Sequence, residues 1–406
     1  MTTKSPIPSG KKERIDELTI MRALAFFAIV LQHSIGEYIY RADILPEDAI
    51  MLGMLYHFTR YGTLTFVFLS TVILFHNYDA SLDYGRFVKR RAQSVLVPFA
   101  VWTMVYGVFS LQGQLLTKDG WVLLSKQFLV PTYGYQLWFI PMIFQLYLLY
   151  PLLVRFVQAM HERLVKWFGV ISVRHVTGIL LGLGAAYAGL MYWSYYKAAG
   201  WAESVGGIGQ VLAGHRTMIV VFYFFYIALG IVCALHLQRW RHWVQQAASW
   251  NLWIFAVCYI LMGYDLLSAG VQPINLNIST YLKPTVFVLI VAQMLLIYAI
   301  ALHIQKRGGI MQRFLQMVGT YSFGGYLAHA LVLALVSQFT RKLPLEGLHL
   351  IATVLTFVVV AAISLVIARW LQRSPFAAVF IGAKRRKASS AEGTGNRRSV
   401  ASSSYS

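Results

Sequence analysis

The chain has 406 residues, of which 58% are hydrophobic and only 12% charged, with a formal net charge of +20 at pH 7. Average soluble domains carry roughly 25% charged residues, so this composition excludes an ordinary soluble protein and describes an integral membrane protein. The basic excess does not argue for nucleic acid, because Lys and Arg sit in short connections between apolar runs and not on one folded polar face. Cys233 and Cys258 both lie in apolar stretches, which supports neither a disulfide framework nor a zinc site; each reads as small core filler, and no metal is expected.

In chain order, a short basic segment (1–17) precedes ten apolar runs at about 18–39, 54–77, 93–111, 135–157, 174–195, 216–237, 250–269, 281–304, 313–338 and 348–372. Each is long enough to cross a bilayer, for which about 20 predominantly apolar residues suffice. The fold class expected is an all-α membrane protein with about ten transmembrane helices and one membrane domain over 18–372. The first run is too long for a cleavable signal peptide and no small-residue cleavage site follows it, so it is expected to stay as a spanning anchor. Pro141 and Pro151 fall in the fourth run, where a membrane helix is more readily kinked than ended. The tail, 373–406, is basic and Ser-rich, and beyond Ala383 it has no apolar period and is expected to be disordered.

Orientation follows from the connections. Of the 35 Lys and Arg, 25 collect on one side, including Arg86, Lys89, Arg90, Arg91, Arg239, Arg241 and the cluster Lys384 to Lys387. The positive-inside rule makes that side cytoplasmic and puts both termini there. The first connection on the opposite side carries Asp43, Glu47 and Asp48 against Arg41 alone.

Ionisable residues inside spans mark the candidate site. The stretch Ile15 to Ile39 contains Arg22, His33 and Glu37, and a charge at membrane depth costs at least ~2.5–3.5 kcal/mol. Eleven residues at about 100° each make three turns plus about 20°, so Arg22 and His33 share a face about 16 Å apart. Glu37 follows His33 by four and stays on that face. Arg suits phosphate through its bidentate fork, His suits proton abstraction near neutral pH, and Glu37 is placed to hold the imidazole tautomer. Taken singly, Arg22 could snorkel to lipid phosphate and His33 could be a packing residue; together on one face they favour a site.

Other stretches feed the same layers. His57 and Arg60 open the second run at its outer end, where a sugar or an anionic acceptor could be met. The loop DYGRFVKRRAQSVLVPF gathers Arg86, Lys89, Arg90 and Arg91, cations able to grip phosphates that the positive-inside rule also explains. In QMVGTYSFGGYLAHALVLAL, His329 lies 16 residues beyond Arg313, about 24 Å along the axis and level with His33, while Gly319, Gly324 and Gly325 permit close helix approach. No GxSxG elbow, HExxH or P-loop is present, so a soluble-type serine hydrolase, zincin or NTPase finds no support.

Four stretches in order, MRALAFFAIVLQHS with Arg22 and His33, RFVKRRAQSVLVPF, YQLWFIPMIFQLYLLYPLL and GTYSFGGYLAHALVL, resemble the acyltransferase 3 family of membrane O-acyltransferases, which includes branches that modify bacterial surface polysaccharides. The resemblance implies a multi-pass protein of the bacterial cytoplasmic membrane with acyl-CoA as co-substrate and no tightly bound cofactor. It implies that His33 is the general base and that Arg22, Arg90 and Arg91 lie by the donor. His57, Arg60 and His329 fall on the acceptor side. The chain departs from the family pattern at Ser94, where a second loop arginine is usual, and at Ser70-Thr71-Val72, where Ser-Gly-Phe is usual. The function implied is transfer of an acetyl or succinyl group from cytoplasmic acyl-CoA to a hydroxyl of an extracytoplasmic glycan or its lipid-linked precursor. The competing class is an exporter of surface polysaccharide or a small solute, using the same buried charges as a proton-coupled path.

Overall fold

The computed structural model describes residues 15–78, 82–271 and 273–383, and among these the secondary structure is helical with no strand. The basic N-terminal residues and the tail from Lys384, which carry part of the orientation argument and the expectation of disorder, lie outside the described residues. Helix α1 covers Asp16–Tyr38, and α2 (Pro46–Thr59) meets α3 (Tyr61–Asn77) at Arg60, so the two form one crossing over Pro46–Asn77. The next crossing joins α4 (Tyr84–Arg91) through a π-helical turn at Ala92–Leu96 to α5 (Val97–Leu111). After α6 (Lys118–Gln127) come α7 (Phe139–Phe168), which continues through Pro151, and α8 (Val173–Tyr192). Two short helices, α9 (Ala198–Val205) and α10 (Gly207–Gly214), pack together before α11 (Phe224–Leu235) and α12 (Leu237–Gln246). The chain then runs through α13 (Ala248–Ser268), α14 (Pro284–Arg307), α15 (Gly309–Thr340), α16 (His349–Arg373) and the short α17 (Ala377–Ile381).

Nine helices among the described residues are long and apolar enough to span a bilayer, ten when the bent pair α11–α12 counts as one, as the apolar runs predict. Two details differ. The sixth run, expected over 216–237, is α-helical only from Phe224, and where it ends α11 and α12 meet at 114°, because LQRWRHWVQQ is too polar to remain in hydrocarbon and turns aside at His236. Residues 198–214, expected as connection, form α9 and α10.

Helix α1 is the axis of the bundle, packed by α3, α14, α15 and α16. Small residues set how closely its neighbours approach, since association within lipid relies on backbone proximity and not on hydrophobic driving force. A Cβ on Gly319 of α15 would lie 1.9 Å from the Thr19 carbonyl oxygen, and one on Gly62 of α3 would lie 3.0 Å from the Ala25 carbonyl oxygen. Large apolar side chains on the rim, among them Leu181, Trp250, Trp253 and Trp370, are exposed, the surface a bilayer covers.

Each end of α1 is clamped. At its start Glu17, nearly fully buried, accepts from Arg241 Nε at 2.7 Å and Nη2 at 3.1 Å and from the Tyr298 hydroxyl at 3.1 Å, tying α1 to α12 and α14. At its finish Glu37 accepts from Arg341 Nε at 2.5 Å and Nη2 at 2.9 Å. Beyond it Arg41 donates to the Thr340 carbonyl at 3.1 Å and the Leu343 carbonyl at 2.9 Å, while Asp43 and Asp48 hold the ring and amide of buried His349 at 3.2 Å and 2.9 Å.

Gly319→Val should separate α1 from α15, because the added atoms have nowhere to go but into the Thr19 backbone. Overpacking of this kind costs about 1–3 kcal/mol, occasionally more, so the thermal midpoint in detergent should fall by several degrees; an unchanged midpoint would refute the close-approach role.

Candidate functional site

A cavity of 260 Å³ lies between α1, α3, α7 and α15, with the π-helical turn before α5 and the end of α17 completing its wall. Among the described residues its cations are Arg22 of α1 and Arg91 at the end of α4, and no carboxylate lines it. Arg91 lies over three rings, with Cζ 4.9 Å from the Tyr147 centroid, 5.3 Å from Tyr78 and 5.5 Å from Phe87, and donates to the Tyr78 hydroxyl at 3.2 Å. Such stacking orients the guanidinium without neutralising it. Ser70, Ser94, Thr63, Thr320 and Ser322 supply hydroxyls to the wall. The positively charged, carboxylate-free interior is suited to an anionic ligand.

Helix α17 closes one side. The Trp102 indole donates to the Phe380 carbonyl at 2.9 Å, and Gly382, at φ +62°, comes so close that a Cβ there would lie 1.9 Å from the Ser94 carbonyl oxygen. The π-helical turn places that carbonyl at the contact, and such bulges recur at functional sites.

The inner limit of the cavity is aromatic: Phe66, Phe139 and Tyr326, with centroids 6.2–6.4 Å apart. Behind Tyr326 stands a histidine pair. His33 and His329 have ring centroids 5.3 Å apart, Tyr326 is 5.7 Å from His329, and Tyr135 is 4.8 Å from His33. His329 is fully buried, with Nδ1 2.6 Å from the Tyr326 carbonyl oxygen. A carbonyl can only accept, so Nδ1 carries the proton and Nε2 holds a lone pair; Nε2 has no partner among the described residues.

A neighbour bonds to the backbone carrying His329. Tyr106 of α5 donates to the Leu327 carbonyl at 2.8 Å and accepts from the Leu331 amide at 3.1 Å, the two groups an unbroken helix would join directly. Gln136 Nε2 completes the hydroxyl's partners at 2.7 Å, and the Tyr326 hydroxyl donates to the Gln136 carbonyl. A side chain inserted into the i→i−4 ladder is an identifiable cause of helix distortion.

The structure brings together Arg22 and Arg91 in one cavity and His33 and His329 behind its inner wall. Arg90 is exposed and does not line the cavity that holds Arg91, since one residue along a helix turns the side chain by about 100°. Glu37 is displaced from its expected role, because both carboxylate oxygens are taken by the Arg341 fork and not by His33. His57 is buried with neither ring nitrogen bonded among the described residues, and Arg60 lies 3.6 Å over the Tyr281 ring and donates to the Tyr56 hydroxyl at 3.2 Å. Neither lines the cavity, but Thr63 in its wall is 3.2 Å from the hydroxyl of Tyr281, the ring beneath Arg60. Sequence reasoning passed over Tyr135, Tyr147, Tyr326 and Tyr106. Tyr135 and Tyr147 lie inside the stretch YQLWFIPMIFQLYLLYPLL and Tyr326 inside GTYSFGGYLAHALVL, but no spacing there singles them out.

A family model described as an acyltransferase domain matches residues 15–372, nearly the whole chain. No curated protein and no solved structure matches.

Tyr106→Phe should leave the Leu331 amide and the Gln136 side chain without their buried partner, at about 1–3 kcal/mol; the measurement is unfolding in detergent, and an unperturbed transition would remove Tyr106 from the network. For the outer clamp, a double-mutant cycle of Glu37→Gln and Arg341→Gln should give a coupling of about 0–1 kcal/mol, because Arg341 is largely exposed. Both single variants should keep function within a few-fold of wild type, whereas a large loss confined to Glu37→Gln would return that carboxylate to His33.

Proposed function

The chain belongs to the acyltransferase 3 family, and from that premise we propose that this membrane acyltransferase moves an acetyl or succinyl group from acyl-CoA to a hydroxyl of an extracytoplasmic glycan or its lipid-linked precursor. The observation that carries the reading is the sharing of one wall: Tyr326 lines the Arg22–Arg91 cavity and its ring lies 5.7 Å from His329, itself paired with His33. An anion-binding chamber thus adjoins a base through a single aromatic layer.

With the Lys- and Arg-rich connections facing the cytoplasm, the donor's phosphates enter at Arg22 and Arg91 and its long thioester arm extends toward His33, about 16 Å farther along α1. His33 takes the proton of the acceptor hydroxyl as the oxygen attacks the thioester carbonyl. The tetrahedral intermediate collapses, the carbon–sulfur bond breaks, and the departing CoA thiolate receives the proton from the imidazolium. His329 directs the free lone pair on Nε2 into this space, where it accepts from the acceptor hydroxyl or from a protonated His33 and orients either one. Arg60 contributes positive charge where the oxyanion develops. Glu37 serves the fold through Arg341. Acyl-CoA is a substrate here, and the chemistry needs no resident cofactor.

The test is transfer from acetyl- and succinyl-CoA, radiolabelled in the acyl group, by purified protein in liposomes with glycan acceptor supplied. Label should reach the acceptor with wild type, His33→Ala should lower turnover by about 10²–10⁴-fold with donor binding retained, and Arg91→Ala should raise the donor KM with a smaller effect on kcat. Undiminished transfer by His33→Ala removes it from the mechanism. Glycan movement across the liposome that is independent of acyl-CoA would support the exporter instead.

A further inference from the structure

A second, larger cavity has no part in that chemistry. It is a groove of 460 Å³ between α7, α8 and α11 on the rim of the bundle, walled by apolar side chains such as Leu153, Phe156, Leu183 and Ile231. It runs from Leu146 to Leu164 of α7, about 27 Å at 1.5 Å per residue, more than the depth of one leaflet. One end is polar: His161 of α7 and His236 at the α11–α12 corner belong to the lining. A smaller cavity of 330 Å³ shares Leu235 and His236 with the groove and is lined by His76, Gln238 and Arg239. Among the described residues neither lining contains a carboxylate.

The 114° corner at His236 fixes the depth of this end. Helix α12 is amphipathic, burying Trp240 and Val244 against the bundle and turning Arg239 outward, as a segment lying along a membrane surface does. His236 therefore stands at headgroup level, with an apolar trough on the membrane side and a basic chamber beside it.

We propose that this groove is a binding site for one anionic glycerophospholipid, with an acyl chain along α7, α8 and α11 and the phosphate held by His236 and Arg239 with His161. The trough fits an alkyl chain and the basic, carboxylate-free chamber fits a phosphodiester. A zwitterionic lipid shares the chain but adds a cation for which the described residues of this chamber offer no carboxylate.

Native mass spectrometry of the full-length, delipidated protein in detergent, titrated with phosphatidylglycerol or phosphatidylcholine, tests the assignment. Wild type should bind one phosphatidylglycerol at concentrations several-fold below those needed for phosphatidylcholine. Arg239→Gln should weaken phosphatidylglycerol about five-fold, the equivalent of ~1 kcal/mol for one surface cation, and Arg239→Gln with His236→Gln should abolish the preference. Arg313→Gln, a cation at the same end of the bundle on α15, should leave it intact. Ala228→Trp, or Leu183→Trp should the first fail to fold by circular dichroism, fills the trough and should remove the site for both lipids. Equal binding of the two lipids by wild type, or an equal loss in Arg313→Gln, would reduce the effect to diffuse charge and overturn the proposal. A dimer in the lipid-free protein that Ala228→Trp dissociates would do so too, because a second copy would then be the occupant.

Discussion

The contact between α1 and α15 at Gly319 is the constraint on which the rest of the structure depends. Two helices whose backbones meet where a single Cβ would clash with a carbonyl oxygen cannot slide or rotate past one another without losing that fit. The two clamps then remove the remaining freedom of α1, since Glu17 binds its start to α12 and α14 and Glu37 binds its finish to the end of α15. Axial register follows. Residues far apart in sequence, His33 and His329, come to rest with rings 5.3 Å apart.

That register gives the buried polar groups their meaning. Ionisable residues within a membrane domain are costly unless paired or given access to water or ligand, and the chain treats its own in two ways. Glu17, Glu37 and Asp43 are bonded to Arg241, Arg341, Arg41 and His349, and they fasten helix ends. Among the described residues, Arg22 and Arg91 instead share a cavity without a carboxylate, and His329 keeps one ring nitrogen without a partner. Aromatic rings replace carboxylates around Arg91, which holds its direction while sparing its charge.

Much of this was legible in the sequence, for reasons tied to short-range rules. Run length and hydropathy alone specify membrane helices, because an unsatisfied peptide group in hydrocarbon leaves few alternatives; even Pro151 sits within a continuous α7. Periodicity put Arg22 and His33 on one face of α1, and counting turns put His329 near the level of His33. Arg90 and Glu37 were assigned from proximity along the chain, yet whether a side chain turns to a cavity, to solvent or to a charged partner depends on the helix that packs opposite it. Arg341, 304 residues from Glu37, decides the latter case.

The amino-acid sequence by itself determined the membrane class, the number and order of crossings, and the ionisable residues worth explaining, since all three follow from apolar length and helical period. Only the tertiary structure decided which of those residues meet. The hydroxyl of Tyr106 within the α15 ladder, the turn at His236 that divides trough from headgroup chamber, and the aromatic layer between cavity and histidines all arise where separate helices pack. Packing of that kind is set by shape and backbone approach between distant segments, and a local pattern along one chain does not carry it.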